Sequence, residues 1–210
     1  MERSHLLAGR PQPGGRDPAP GSLALVQDFV NTVDREHGPD LLDDVAGFVE
    51  RLALRDLGGA PHAPPPSTAD LGRARGLREA LRSLLLANHG TPAPAAARTV
   101  VEECADRAGL RVRLPPEGAA LAPVSSGVDG ALGQVVAAAV VAMWDGTWLR
   151  LKACPRTSCQ WAFYDRSTNA SATWCSMSIC GAREKASNYY RRRTLNRASK
   201  ASPGAAAAGE

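Results

Sequence analysis

Apolar residues recur every three to four positions over much of the chain. That spacing places them on one face of a helix, and it predicts amphipathic helices over residues 22–38, 39–59 and 67–88. Ser67 and Asp70 fit a capping box at the start of the third helix, in which each residue satisfies a backbone N–H of the other. The first part of the chain is therefore predicted to be mainly helical.

Three further elements are predicted before residue 149. Residues 91–108 have a helical pattern, and weak alternation on either side of residues 115–118 predicts a short β-hairpin with its turn there. Residues 130–144 are apolar nearly all round, which is typical of a helix buried at the centre of a bundle. This run is too short to span a bilayer, which takes about 20 residues. Residues 22–148 are thus predicted to form one helical regulatory or dimerisation domain.

The pattern changes on both sides of that domain. Residues 1–21 contain no apolar segment of the kind found in secretory signals, so we expect a disordered lead-in and a cytoplasmic protein without a membrane anchor. Residues 149–198 contain few aliphatic side chains and are predicted to form a separate small module. The alanine-rich residues 199–210 are predicted to be a disordered tail.

Positive charge is concentrated in the second module. The net charge of the 210-residue chain is only +4, and 44% of the residues are hydrophobic. Residues 181–200 contain seven basic side chains and one acidic side chain, which gives this segment alone a net charge of +6. A local excess of this size indicates an element that binds a polyanion, although a solvated terminal helix has the same pattern.

Four of the five cysteines form two C-x4-C pairs separated by fifteen residues: Cys154 and Cys159, then Cys175 and Cys180. Zn²⁺ prefers four soft ligands in a tetrahedron, and two short loops with two thiolates each supply them. The alternatives are an iron–sulfur cluster or disulfides, and disulfides are uncommon in a reducing compartment. Because four cysteines leave no open coordination position, the zinc is predicted to be structural. The fifth cysteine, Cys104, is predicted to be a buried thiol.

The residues around the two pairs predict the shape of the module. The side-chain type alternates along residues 161–165 (WAFYD), which predicts one strand. Residues 172–175 are predicted to return as the second strand of a hairpin. A helix that carries the second cysteine pair at its start completes a treble-clef-like zinc finger. Trp161, Phe163 and Trp174 are predicted to form a small aromatic core around the metal.

The second module resembles the CGNR zinc finger, whose pattern runs roughly C-x4-C-x-W-x-F-x-D-x-S and then W-C-S-M-x-x-C-G-N-R-x-K. The matching residues are Cys154, Cys159, Trp161, Phe163, Asp165, Ser167, Trp174, Cys175, Ser176, Met177, Cys180, Gly181, Arg183 and Lys185. Two features depart from the pattern. Ala182 replaces the signature asparagine, and STNASAT stands where the family is often rich in arginine.

The helical domain is similar to the domain that usually precedes this finger. It contains the stretch L-x-L-x-x-x-F-V-N-T from Leu23 to Thr32, and the stretch L-R-E-A-L from Leu77 to Leu81. The resemblance implies a bacterial, stress-linked transcription regulator with an N-terminal helical domain and a C-terminal zinc finger that binds DNA.

The basic helix after the cysteines is predicted to contact double-stranded DNA, with a polar side towards the bases and arginines towards the phosphates. The predicted contact residues are Arg183, Lys185, Ser187, Tyr190, Arg191, Arg192, Arg193 and Arg197. A protein-interaction module and an RNA-binding protein are the alternatives. We expect the helical domain to form a homodimer or to bind a small molecule. No Ser/His/Asp, Cys/His or paired-carboxylate set stands out in the sequence, so we expect that the protein is not an enzyme.

Overall fold

A computed structural model describes residues 12–36, 38, 40–45, 65–116 and 118–201, with side chains as far as residue 197. These residues form a mainly helical protein with two small two-stranded sheets, which confirms the predicted fold class. The N-terminal part contains α1 (Leu23–Val30), α2 (Thr68–Ala87), α3 (Ala95–Ala108), β1 (Arg111–Arg113), β2 (Ala120–Ala122) and α4 (Gly127–Trp144). The C-terminal part contains a 3-10 turn (Trp148–Arg150), β3 (Leu151–Ala153), β4 (Ala162–Tyr164), a π-helical turn (Met177–Gly181) and α5 (Ala182–Ala201).

The start of α2 confirms the predicted capping box. The Ser67 hydroxyl accepts a hydrogen bond from the Asp70 N–H at 3.3 Å, and Asp70 accepts one from the Ser67 N–H at 2.7 Å. These reciprocal bonds satisfy backbone donors that the start of a helix otherwise leaves without partners. The next helix begins at Ala95 rather than at Thr91, because the residue before Pro94 is disfavoured in a helical conformation.

The first helix, α1, is shorter than predicted. It ends at Val30, and the chain continues in turns, with an isolated antiparallel bridge between Val33 and Asp40, instead of in a helix. The side chain of Asn31 explains the difference, because it donates to the Ala162 carbonyl of β4 at 2.9 Å and accepts from the Ala162 N–H at 2.8 Å. The helix predicted over residues 39–59 lies mostly outside the described residues.

The core of the helical part is built around α4, which packs against α1 and α3. Gly133 permits the close approach of α3, since a Cβ added at this position would lie 2.4 Å from the Cβ of Ala108. With a mean hydropathy of 1.5, α4 is long and apolar enough to cross a membrane by length and composition alone. However, 61% of the span is buried inside the protein, as is usual for a core helix.

The hairpin of the finger differs from the prediction. Strand β4 pairs antiparallel with β3, so the turn between the two strands contains the first cysteine pair. The predicted pairing of residues 161–165 with residues 172–175 is therefore wrong. After β4, Asp165 accepts hydrogen bonds from the backbone N–H of Ser167 at 3.0 Å and from its hydroxyl at 2.7 Å. This turn leads the chain into a loop instead of a returning strand.

The helical part and the finger share one hydrophobic core. Side chains from β3 and β4 are buried in the same cluster as those of the helices: Leu151, Ala153, Ala162 and Tyr164. Just after α2, the Asn88 amide donates to the carbonyls of Trp148 at 2.9 Å and Leu151 at 2.8 Å. The finger is thus packed against the helices, while the division of the chain into two domains stays a prediction.

Candidate metal centre and nucleic-acid interface

The four paired cysteines come together at one point of the finger. Their four sulfur atoms all lie within 4.8 Å of one another, and Cys175 Sγ lies 3.6 Å from both Cys159 Sγ and Cys180 Sγ. Four thiolates around a tetrahedral zinc, with bonds of about 2.3 Å, stand about 3.8 Å apart. A disulfide would need about 2.0 Å. The spacing therefore fits a metal site and excludes disulfides among the four.

The thiols also depend on a cation for their full ionisation. Hydrogen bonds from Cys159 and Cys175 lower the pKa of the Cys154 thiol far below the usual value of 9.0. Hydrogen bonding to Cys154 in turn raises the pKa of Cys159 and of Cys175, and burial raises the pKa of Cys180. Four thiolates this close together repel one another, so the cluster ionises fully only with compensating positive charge. A soft divalent cation supplies that charge and accepts four sulfur ligands.

A small aromatic core surrounds the cysteines, as predicted. Trp161 and Phe163 are buried with Cys154, Cys175 and Cys180, and the half-buried Trp174 packs against them. Because this cluster is small, it buries little apolar surface and by itself supplies little stability to the finger.

A buried arginine of α2 holds the loop that carries the first cysteine pair. Arg82 is 1% exposed, and its guanidinium donates to the Gln160 carbonyl at 2.6 Å and to the Val30 carbonyl at 2.6 Å. Gln160 has a positive φ of 48°, a conformation that costs energy for a residue other than glycine. Arg82 thereby links the helical part to a strained position directly after Cys159.

A buried ion pair holds the loop that replaces the predicted strand. Lys152 Nζ donates to Asp165 Oδ2 at 3.0 Å, and also to the carbonyls of Ala170 and Ala172. Burial alone would raise the pKa of Asp165, but hydrogen bonds from Ser167 and Lys152 lower this pKa to about 2. The loop that contains STNASAT is therefore fixed from inside the finger, although its sequence departs from the family pattern.

Residues 12–21 lie against the finger, so this part of the predicted disordered lead-in is ordered. Gln12 is buried and accepts a hydrogen bond from the indole N–H of Trp161 at 2.9 Å. Arg16 donates from Nε to the Cys175 carbonyl at 2.7 Å. Sequence reasoning missed both residues, because a polar segment rich in proline and glycine has the composition of a disordered one. Residues 1–11 lie outside the described part of the chain.

The basic helix α5 begins immediately after the last cysteine and packs mainly against the π-helical turn. All residues from Tyr189 to Arg197 are exposed. The eight residues predicted to contact nucleic acid are likewise all exposed: Arg183, Lys185, Ser187, Tyr190, Arg191, Arg192, Arg193 and Arg197. The structure brings them together on one projecting element, and their role in binding stays a prediction.

Among the described residues, an ion pair ties the first turn of α5 to the helical part. The Arg183 guanidinium forms an ion pair with Glu36, which follows α1 in the chain. Further along, Arg191 donates to the Asn188 side chain at 2.7 Å, a bond within α5 itself. The position of the helix is therefore set at its N-terminal end, by the cysteine cluster and by Arg183.

Two family models match the chain. Residues 150–193 match the CGNR zinc finger, and residues 23–146 match ABATE, which is described as a putative stress-induced transcription regulator. No match to a curated protein was found. The second match alone covers more than half of the 210 residues, and both agree with the resemblances noted in the sequence. The chain therefore belongs to the ABATE family of putative stress-induced transcription regulators and carries a CGNR zinc finger.

Proposed function

We propose that this protein is a DNA-binding transcription regulator whose finger holds a structural Zn²⁺ and presents α5 to duplex DNA. The exposure of α5 carries this proposal. The helix has 20 residues, a length of about 30 Å, and it is basic along most of that length. A mostly polar, exposed helix gains little stability from packing in the free protein, so we propose that α5 is held by a partner. The charge of α5 favours a polyanion as that partner.

The proposed contacts divide between bases and phosphates. Arg183, Ser187, Tyr190 and Arg191 follow one another at helical spacing on one side of α5, as the contact residues of a helix in the major groove do. Their guanidinium and hydroxyl groups form hydrogen bonds with base edges. The remaining basic residues are proposed to contact the DNA backbone: Lys185, Arg192, Arg193 and Arg197.

The proposed role of the metal is to fix the start of α5. Four thiolates complete a tetrahedral shell and leave no position for water or a substrate. The backbone around Cys154, Cys159, Cys175 and Cys180 then orients the turn from which α5 begins. Because a metal with four cysteine ligands has no position for a substrate, we also propose that the protein is not an enzyme.

Reversal of two arginine charges on α5 tests DNA binding. We expect Arg192→Glu/Arg193→Glu to weaken the affinity for duplex DNA by at least about tenfold, equally for unrelated sequences, because phosphate contacts carry no sequence information. The slope of log K against log salt concentration should fall in magnitude by about 2, since two phosphate contacts are lost. Fluorescence anisotropy with labelled duplexes between low and high salt measures both quantities.

Arg111→Glu/Arg113→Glu is the matched control, because both arginines are exposed on β1 in the helical part. It should leave affinity and salt slope close to those of the unmodified protein. Equal losses for the two double variants would contradict the proposal. Binding to RNA in preference to duplex DNA would identify an RNA-binding protein. Retained binding to a protein partner, with no affinity for nucleic acid at low salt, would identify an interaction module.

The helical part also offers a place for the small-molecule ligand expected from the sequence. A cavity of about 740 Å³ lies between α2, α3 and α4, within the range of about 300–1,000 Å³ typical of ligand sites. Its lining includes the apolar side chains of Val101, Val140 and Trp148, and it reaches Lys152 and Ala170 of the finger. We propose that it binds an apolar molecule. A molecule in the cavity would contact Lys152 and Ala170 and could thereby change the conformation of the finger.

A substitution that fills the cavity tests this part of the proposal. We expect Val101→Trp to reduce binding of the apolar dye 1-anilinonaphthalene-8-sulfonate by at least about tenfold, because the indole occupies the space between the helices. Dye fluorescence in a titration gives the affinity. Val112→Trp, at a position 64% exposed on β1, is the control and should bind the dye as the unmodified protein does. Equal binding by both variants would place the dye elsewhere.

Assembly and location complete the proposal. We propose that the helical part forms a homodimer, because two copies of α5 would read two half-sites on duplex DNA. Light scattering would then give twice the mass of one chain, and a measured mass of one chain would exclude the homodimer.

We further propose a cytoplasmic location, where reducing conditions keep the four cysteines free to bind metal. A fluorescent fusion that localises outside the cytoplasm would overturn this location.

A further inference from the structure

A cleft lies beside the metal centre, between the first cysteine loop and the start of α5. Its volume is about 620 Å³. One wall consists of residues 155–158, and the other contains the first turns of α5, with Arg183 and Ser187. Trp174 also lines the cleft. No cysteine lines it, so it is separate from the metal site, although it shares the same supports.

Both walls are held by the cysteine cluster, which fixes the width of the cleft. In the loop, the N–H groups of Cys159 and Gln160 donate to the Arg156 carbonyl at 2.9 and 3.1 Å, which closes a tight turn between two metal ligands. On the other side, α5 begins one residue after Gly181, which follows Cys180. A ligand in the cleft therefore meets two walls that do not need to be ordered on binding.

The side chains in the cleft favour an anion. Arg156 is half-buried, and its Nε donates to the Ser158 hydroxyl at 2.8 Å, which orients the guanidinium. Its two terminal nitrogens have no partner among the described residues. Arg183 adds a second cation from the opposite wall, and Thr157 and Ser187 add hydroxyl groups. A planar guanidinium binds phosphate oxygens in a bidentate manner, with two charge-assisted hydrogen bonds.

One acidic residue also lines the cleft and sets the net charge. Glu184 accepts a hydrogen bond from Asn188 at 3.3 Å, so it is engaged within α5. Two arginines and one glutamate leave a net positive charge of one. The ion pair between Arg183 and Glu36 occupies part of the Arg183 guanidinium. Arg156 is consequently the cation with the most donors available to a ligand.

We propose that this cleft binds one backbone phosphate of duplex DNA, with Arg156 from the cysteine loop and Arg183 from α5 on either side of it. In this arrangement Arg183 contacts the phosphate instead of a base edge, and Ser187, Tyr190 and Arg191 remain the proposed base contacts. The inference rests on the proposed function and deepens it, because it adds a contact outside α5. The cleft is continuous with the proposed DNA-contacting side of α5, since Arg183 and Ser187 belong to both. Its volume leaves room for the sugars next to the phosphate. A phosphate held here fixes the depth at which α5 enters the groove.

Arg156→Ala tests the cleft. We expect its affinity for duplex DNA to fall about tenfold, the effect of one charge-assisted hydrogen bond, with the same loss for unrelated sequences. The salt slope should fall in magnitude by about 1. Arg166→Ala is the matched control, because Arg166 is an exposed arginine of the finger that donates to the Pro18 carbonyl and does not line the cleft. It should change the affinity less than about twofold.

A double-mutant cycle shows whether the two arginines share one phosphate. If they do, Arg156→Ala/Arg183→Ala should lose less affinity than the product of the two single losses, because a shared contact is lost only once. Zinc content and circular dichroism of each variant establish that it is folded. Independent losses for the two arginines would overturn the shared contact. Unchanged binding by Arg156→Ala, with strong loss in Arg192→Glu/Arg193→Glu, would overturn the cleft and leave the proposed function standing. An unmodified protein that does not bind duplex DNA at low salt would overturn both.

Discussion

Replacing Cys175 with serine is expected to remove the metal and to unfold the finger. Cys175 is 1% exposed, and its sulfur lies 3.6 Å from two of the other three sulfurs, so it belongs to the centre of the cluster. In zinc-finger peptides the metal contributes about 10–16 kcal/mol of folding free energy. A whole domain is stable by only about 5–15 kcal/mol. Losing even part of the metal's contribution is therefore enough to unfold the finger.

The unfolding should extend beyond the finger, because Leu151 and Tyr164 are buried in the core shared with the helices. Metal analysis should show one zinc per chain in the unmodified protein and much less in Cys175→Ser, and circular dichroism should show loss of helix. Cys104→Ser is the control. Burial raises the pKa of Cys104 to about 11, and this thiol is not part of the cluster, so zinc content should not change. A folded Cys175→Ser variant without zinc would contradict the metal centre.

Replacing Arg82 with methionine is expected to lower the free energy of unfolding by about 3–5 kcal/mol, because two backbone carbonyls each lose a hydrogen bond from a charged donor, worth about 1.5–3 kcal/mol. Arg82 donates to the carbonyls of Val30 and Gln160 and to the carboxylate of Glu79. Methionine fills most of the volume but removes the donor from the two carbonyls, whereas Glu79 still accepts hydrogen bonds from Arg35 and Arg78. Because Gln160 directly follows Cys159, we also expect weaker zinc binding.

Urea denaturation followed by tryptophan fluorescence measures the loss of stability, and competition with a zinc chelator measures the metal affinity. Arg75→Met is the matched control on the same helix. Arg75 is 40% exposed, and its contact with Asp43 is 3.3 Å long, so its loss should change stability by no more than about 0.5 kcal/mol. Similar stabilities for the two variants would show that Arg82 does not hold the finger to the helices.

Structural features that depend on only a few neighbouring residues could be predicted from the sequence. The capping box of Ser67 and Asp70 lies within a single turn of helix, and its geometry depends on little else. The cysteines are similar, because each C-x4-C pair closes a local loop and needs only one other pair to form a site. The start of α2 and the four clustered cysteines could therefore be identified from residue type and spacing.

Contacts between distant segments could not be predicted in this way. Arg82 and Arg16 are charged residues, and charged residues are usually exposed. Only the fold brings Arg82 to Gln160, and Arg16 to Cys175. The pairing of β3 with β4 was missed for a related reason. Each strand has three residues, fewer than the four to eight over which alternation identifies a strand.

The amide of Asn31 affects whether the edge of β4 can pair with a strand of another chain. A sheet of two strands has an open edge on each strand, and an exposed edge is a template for pairing with another chain and for aggregation. At Ala162 of β4, the Asn31 amide engages both the N–H and the carbonyl, and Gln27 donates to the same carbonyl at 3.2 Å. The helical part thus covers this edge of the finger with side chains. At this position the side chains occupy the groups that a strand of another chain would need for intermolecular β-pairing.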